Sequence, residues 1–409
     1  MQEFILARNP IFCARRAQCP WSVWQSAMEK CKHFSLFSSS AALTEVVTLD
    51  WPLRRYNQYL ATLDAIRQYY QSHGSLSIDI ALKLALNLKA SDTRDFVYGL
   101  SGLLTNEERE RLDIDYTRPA VLIFTHVLSE MCDAGTLMQF LCSQVLNIPG
   151  HTSKPHWIPA SIYTNVSEGI SRRRTSRCIL ELLSAVRSWE HKSISIIPEQ
   201  AALPSPCIAI DHTLHATGVN LGIVEYEYFC TATHKNLMGF DQSDQDIDLF
   251  WHELQTLYDV LGSWGIEDED PLGLLFEQDC TRQWDIAPET YMRLGRYISS
   301  GRSCNGPLVL LRDEDHYTSM RHQFAHAFAG MKISYITEIK RFCICVPEVE
   351  VGDRIAAFKH CPLAFAVRSW TDGSHHLIGQ VMVLGGNVDE LVNTIMKTDP
   401  ASIREFHFT

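Results

Sequence analysis

His322 and His326 stand four residues apart in the stretch HQFAH, a spacing that lets two imidazoles on one helix face reach a single zinc ion. In hydrolytic HExxH sites the second position is a Glu that activates water. Here Gln323 takes that place and has no proton-accepting carboxylate. The pair therefore offers a metal-binding reading without a hydrolytic one, beside the simpler reading of two packed or solvated histidines. Cys343 and Cys345 alternate on an expected strand and share a face, with Cys361 following; small thiols in a sheet are also ordinary core residues. Ser101 in GLSGL lies in an expected apolar helix, which is not the strand-turn-helix setting of a nucleophile elbow. The LGGNVDE segment is too poor in glycine for a dinucleotide loop, and Asp313-Glu314-Asp315-His316 reads as a solvated acidic run. None of these groups by itself assigns an enzyme.

The elements that would carry such residues follow from periodicity. Leu53, Tyr56, Leu60, Leu63, Ile66 and Tyr70 mark one helical face from Trp51 to Gln71, which Gly74 ends. Helices are expected over 77–88, 118–132, 136–146, 177–189, 246–261 and 288–298, with Asp92 as the N-cap of another that carries Val97, Leu100, Leu103 and Leu104. LHATGVNLGIVEYEYF reads as two short strands around Gly218 and Gly222. Residues 331–409 alternate short β-type runs with Gly, Pro and Asp turns, which predicts a small antiparallel sheet or barrel. The fold class expected is α+β, mainly helical in the N-terminal and central regions with this sheet at the C-terminus. Five regions follow: 1–35, a helical block at 41–160, a linker with one helix at 161–210, a mixed region at 211–330, and a β-rich region at 331–409.

The chain has 409 residues, 46% hydrophobic and 21% charged, which is a globular composition. A formal net charge of −12 argues against nucleic acid or an anionic membrane as partner. The local exception, Arg172-Arg173-Arg174 with Arg177, reads as a solvated loop. Thirteen scattered Cys without a CxxC pair fit a reducing compartment, so a cytoplasmic location is expected. Glu3, Arg8, Arg15 and Arg16 flank the first apolar stretch and do not suit a signal peptide.

Several blocks together resemble fungal heterokaryon-incompatibility (HET) domain proteins. DTRDFVYGLSGLL is similar to their D-x-R-D-x-V-Y-x-L-x-G-L block, and Asp115-Tyr116-Thr117 stands where that family has Asp-Tyr-Ser/Thr. KPHWIPAS resembles the Pro-Ser-Trp-Val-Pro block, with His156 in place of Ser, and LHATGVNLGIVE resembles a Leu-x-x-x-Gly block. The tail from Tyr335 to Trp370 is similar to T-x-x-G-x-x-G-x-x-P…G-D-x-V…P-F-x-L-R, with Ile339 or Lys340 where a Gly is usual and Cys345 replacing another. LIGQVMVLGG resembles the closing V-G-x-x-Y-V-x-G strand. Gln2-Glu3-Phe4-Ile5-Leu6-Ala7 matches the second half of the block that ends HET domains.

That resemblance implies a chain retaining only the last helix of its HET domain, with apolar side chains among Phe4, Ile5 and Leu6 left exposed. It implies a role in fungal non-self recognition and programmed cell death through protein association, with other HET-type proteins or a second copy as partners and no cofactor. HET domains resemble Toll/interleukin-1-receptor (TIR) domains, some of which cleave NAD with a Glu four residues after a Trp. Glu3 would take that catalytic place in an NAD glycohydrolase completed by upstream sequence or a partner chain.

Overall fold

The computed structural model describes residues 5–14, 17–26, 66–85, 91–142, 197, 203–209, 213–230, 255–257, 259–264, 331–361, 363–384 and 388–408. The chain divides into two compact units, Met1–Ile123 and Phe124–Thr409.

In the first unit β1 (Ile11–Ala14) and β2 (Ala17–Pro20) pair antiparallel. Ahead of them Ile5 is 1% exposed and Leu6 46% exposed, so the expected apolar exposure holds for Leu6 and fails for Ile5. The end of this segment is held from a distant helix: Arg67 Nη2 donates to the carbonyls of Ala7 at 2.7 Å and Arg8 at 2.9 Å. Carbonyls at a helix end have no partner of their own, and a guanidinium supplies one. The helix containing Arg67 is described over 66–73 and closes at Gly74, whose φ of +79° is open to glycine without penalty. Next come α1 (Ile78–Ala85), α2 (Asp95–Tyr98), a 3₁₀ turn at Ser101–Leu103 and α3 (Asn106–Arg111).

Two expectations change here. Asp92 is not the N-cap of α2, a place taken by Arg94; its Oδ1 accepts from the Arg94 backbone N–H at 2.9 Å just ahead of the helix, and its carboxylate also binds the Arg94 side chain. The true capping box lies at Thr105, whose Oγ1 accepts from Glu108 N at 3.2 Å while Glu108 Oε2 accepts from Thr105 N at 3.2 Å. Ser101 sits in the 3₁₀ turn, not in an apolar helix.

The helix α4 (Ala120–Asp133) starts in the last residues of the first unit, and its part in the second unit buries Phe124, Val127, Leu128 and Met131, a stripe at three- and four-residue steps. Gly135, at φ +72°, turns the chain, and α5 (Leu137–Leu141) buries Leu137, Met138, Phe140 and Leu141. Both expected helices are present over the described residues. The expected helices at 177–189 and 288–298 lie outside them, and the one at 246–261 is described from residue 255, continuing helical to 263.

Eight strands form the sheet: β3 (Cys207–Ile208), β4 (Leu214–Phe229), β5 (Lys332–Ile336), β6 (Arg341–Cys345), β7 (Arg354–Phe358), β8 (Ala364–Ser369), β9 (His375–Val383) and β10 (Ile403–Phe408). The helix α6 (Val388–Thr398) joins β9 to a 3₁₀ turn ahead of β10. The order runs β10-β4-β5-β6-β9-β8-β7, with β4 also pairing β7, and β3 pairing β4. Every full ladder is antiparallel; one parallel residue pair, Phe408 with His375, links β10 to β9. The fold is therefore α+β with an antiparallel sheet toward the C-terminus, as the patterning predicts.

The sheet is not confined to 331–409, because β4 reaches it from the central region. Nor is β4 two short strands. It is one strand of 16 residues, and its glycines mark places where other groups come close. A Cβ on Gly218 would sit 2.7 Å from the Phe358 ring. Gly222, at φ +137°, lies where the β4–β7 register slips by one residue, and a Cβ there would meet Ile336 Cγ2 at 2.5 Å. The strands β5–β9 bury nearly every residue, the signature of a sheet covered on both faces. α5 supplies part of that cover, since Gln380 Nε2 of β9 donates to Leu141 O at 3.1 Å. Edge-to-face rings of Phe358, Phe365, Phe406 and Phe408 fill the region beside β7, β8 and β10.

Candidate functional site

Glu3, His322 and His326 lie outside the described residues, as does the acidic run at 313–316. Cys343, Cys345 and Cys361 are described and fully buried. Burial pushes the Cys343 thiol well above its ordinary range and the Cys345 thiol up to about 12. A thiol that stays protonated is neither a nucleophile nor a ready zinc ligand, so these side chains act as small core residues.

The residues of the DTRDFVY block and of Asp115-Tyr116-Thr117 come together in the first unit. Arg94 grips Asp92 with both arms of its fork, Nε to Oδ1 at 2.9 Å and Nη2 to Oδ2 at 2.6 Å. Its Nη1 donates to Tyr116 O, and its guanidinium lies 5.4 Å from the centre of the Tyr116 ring. Tyr116 Oη donates to Asp95 Oδ1 at 2.6 Å, and Tyr98 Oη donates to Asp115 O at 3.2 Å. Asp115 Oδ1 accepts from Thr117 Oγ1 at 2.6 Å and from Thr117 N at 2.8 Å. Arg118 pairs with Asp113 at 2.7 Å.

Asp92, Asp115 and Tyr116 are held away from proton transfer at neutral pH. The hydrogen bonds from Arg94 hold the Asp92 carboxyl down at about 2, and the Thr117 hydroxyl lowers that of Asp115. The hydrogen bond to Asp95 pushes the Tyr116 phenol up to about 12. Efficient general acids and bases titrate near the working pH, and these do not. The network instead ties the start of α2 to the loop after α3.

A second constellation gathers the Gly-Asp and Arg of the tail. Gly352, at φ +98°, turns the chain and donates its N–H to Val224 O at 2.9 Å. Asp353 is 2% exposed and takes Arg368 Nε on Oδ1 at 2.8 Å and Nη2 on Oδ2 at 2.9 Å. Arg368 Nη2 also reaches Glu348 O and Glu350 Oε2, both at 3.1 Å. The Asp353 carboxylate raises the Arg368 pKa further, so the guanidinium is charged at every accessible pH. Nearby, Lys332 Nζ pairs with Glu227 Oε2 at 3.0 Å. Lys340 holds φ +51° in the β5–β6 turn, in the region where the family-like pattern has Gly.

A third group was not anticipated. His215 of β4 stands directly across from His407 of β10, and their Nδ1 atoms are 2.7 Å apart. Glu405, two residues before His407, shares its face and brings Oε1 to 3.7 Å from His215 Nδ1. The E-x-H alternation in REFHF was legible as a one-face pair, but its partner lies 192 residues away in the chain, which no local pattern reveals. These three side chains are the group of potential metal donors among the described residues.

Neither family models, nor curated proteins, nor solved structures give a match to this chain. Among the described residues no helix is long and apolar enough to cross a membrane.

Proposed function

We propose that the chain is a HET-type protein of fungal non-self recognition and programmed cell death, acting in the cytoplasm by protein association with other HET-type chains or with itself. One observation carries the reading. The polar residues of the two family-like blocks bond to one another, Arg94 to Asp92, Tyr116 to Asp95 and Tyr98 to Asp115, so their polar atoms are engaged within the network. Such residues maintain the shape of a scaffold, while a catalytic block would aim at least one of them into a pocket. The pairing of β4 with both β5 and β7 supports a finer view of the sheet as a closed barrel running β4-β5-β6-β9-β8-β7, with β10 on the edge of β4 opposite β7, where it also meets β9. A barrel of this kind leaves few free strand edges, so recognition falls to its loops and to the helices beside it.

Incubation of the purified full chain with NAD tests the scaffold reading against the catalytic one. Nicotinamide should appear no faster than in buffer. Release that Glu3→Ala abolishes would overturn association as the mode of action and put an NAD glycohydrolase of TIR type in its place.

A further inference from the structure

We infer that His215, His407 and Glu405 form a binding site for a divalent transition cation of the zinc type, clamping β10 to β4. The donor set is two imidazoles and one carboxylate, with each donor atom within 4.8 Å of the others. Two nitrogens and one oxygen suit zinc and cobalt, and are poor ligands for calcium or magnesium, which prefer all-oxygen shells.

The sheet brings the ligands together without strain. The backbone N–H of His407 points away from β4, to His375 Nδ1 at 3.3 Å. Its pair with His215 is therefore of the non-hydrogen-bonded kind, in which cross-strand side chains approach most closely. A tetrahedral zinc with Zn–N bonds near 2.0–2.1 Å places its donors about 3.3–3.4 Å apart. The observed separations of 2.7 Å between the imidazoles and 3.7 Å to the carboxylate straddle that value. Reaching it opens the imidazole pair by about 0.6–0.7 Å and draws the carboxylate in by about 0.3–0.4 Å, small rotations for the partly exposed His215 and the 60% exposed Glu405 side chains.

Without metal, two Nδ1 atoms at this distance share one proton, because a donor must face an acceptor. A cation takes both Nδ1 lone pairs while that proton moves to the Nε2 of the same ring, so neutral rings bind without net proton release, and acid, which protonates the ligand nitrogens, weakens binding. Glu405 supplies a negative charge beside the two imidazoles, which favours the cation. Cys207 of β3 is in register with His215 on its other side, but its sulfur is not among the mutually close donors. The fourth coordination position is thus left to water or an outside ligand.

The test uses the full chain, stripped with a chelator and titrated with Co²⁺ and then Zn²⁺. Wild type should show the visible bands of tetrahedral Co²⁺, displaced by Zn²⁺, with affinity falling as pH is lowered. Glu405→Gln, an exposed change that leaves the strand intact, should weaken binding by at least about 10-fold. His407→Ala should remove one equivalent. Equal stoichiometry and affinity in wild type, Glu405→Gln and His407→Ala would overturn the site. So would a cobalt signal that survives Glu405→Gln but disappears in His322→Ala, since the metal would then sit elsewhere.

Discussion

Removing either partner of the Asp353–Arg368 pair should open the β7–β8 region, and by unequal amounts. Asp353 is 2% exposed, whereas the Arg368 side chain is 24% exposed. Arg368→Ala strands a buried carboxylate whose remaining donor is the Glu350 N–H at 2.9 Å. Breaking a buried pair in this way costs about 3–5 kcal/mol. Asp353→Ala leaves a guanidinium that keeps the Glu348 carbonyl, the Glu350 carboxylate and some solvent, so its cost is lower, about 2–3 kcal/mol. The double variant should cost less than the two single changes summed, with a coupling of about 1.5–3 kcal/mol. Hydrogen exchange on peptides from β7 and β8 reads these values locally, without requiring both units to unfold together. Single changes below about 0.5 kcal/mol, or a strictly additive cycle, would refute the view that the tail motif is a structural clamp.

Gly222→Ala combines a backbone at φ +137° with a Cβ 2.5 Å from Ile336, and should lose about 2–5 kcal/mol, read as a lower melting temperature. Lys340→Gly relieves a left-handed φ of +51° against the greater chain entropy of glycine, for a net gain of about 0.5–1 kcal/mol and a rise of roughly 1–3 °C in melting temperature. Asp92 has a folded pKa of about 2, below its unfolded value near 3.9, so the stability it contributes is present above about pH 4 and is lost as pH falls through 2. In Arg94→Gln the Asp92 carboxyl, followed by NMR titration, should return toward 3.9. A carboxyl still titrating near 2 would remove Arg94 as the cause.

The sequence carried the class of the fold, and its failures were of one physical kind. The helical stripe of α4 and the turn at Gly74 depend on neighbours within one turn, so periodicity exposed them. Pattern alone divides β4 at Gly218 and Gly222, because glycine locally signals a break. Only the strands on either side show that Gly218 makes room for Phe358 and that Gly222 forms a bulge. The capping box at Thr105 is a local T-x-x-E signal, written in the residues between the apolar stripe and α3. Asp92 does accept a backbone N–H, that of Arg94, but the helix itself begins beyond Arg94, whose side chain the same carboxylate also holds. The candidate groups divide in the same way. Cys343 and Cys345 were readable as core residues from their alternation. His215 and His407 meet only because β10 lies against β4, and that long-range register leaves no trace in either segment alone.

The claim that this chain works by association in non-self recognition is tested most directly in hyphae. The gene is deleted from one of two strains whose fusion ends in cell death, and then restored as wild type or as Glu3→Ala. Death at the contact zone should disappear on deletion and return equally with both restored chains. Death that persists without the gene in every pairing, or that returns with wild type but not with Glu3→Ala, would contradict it.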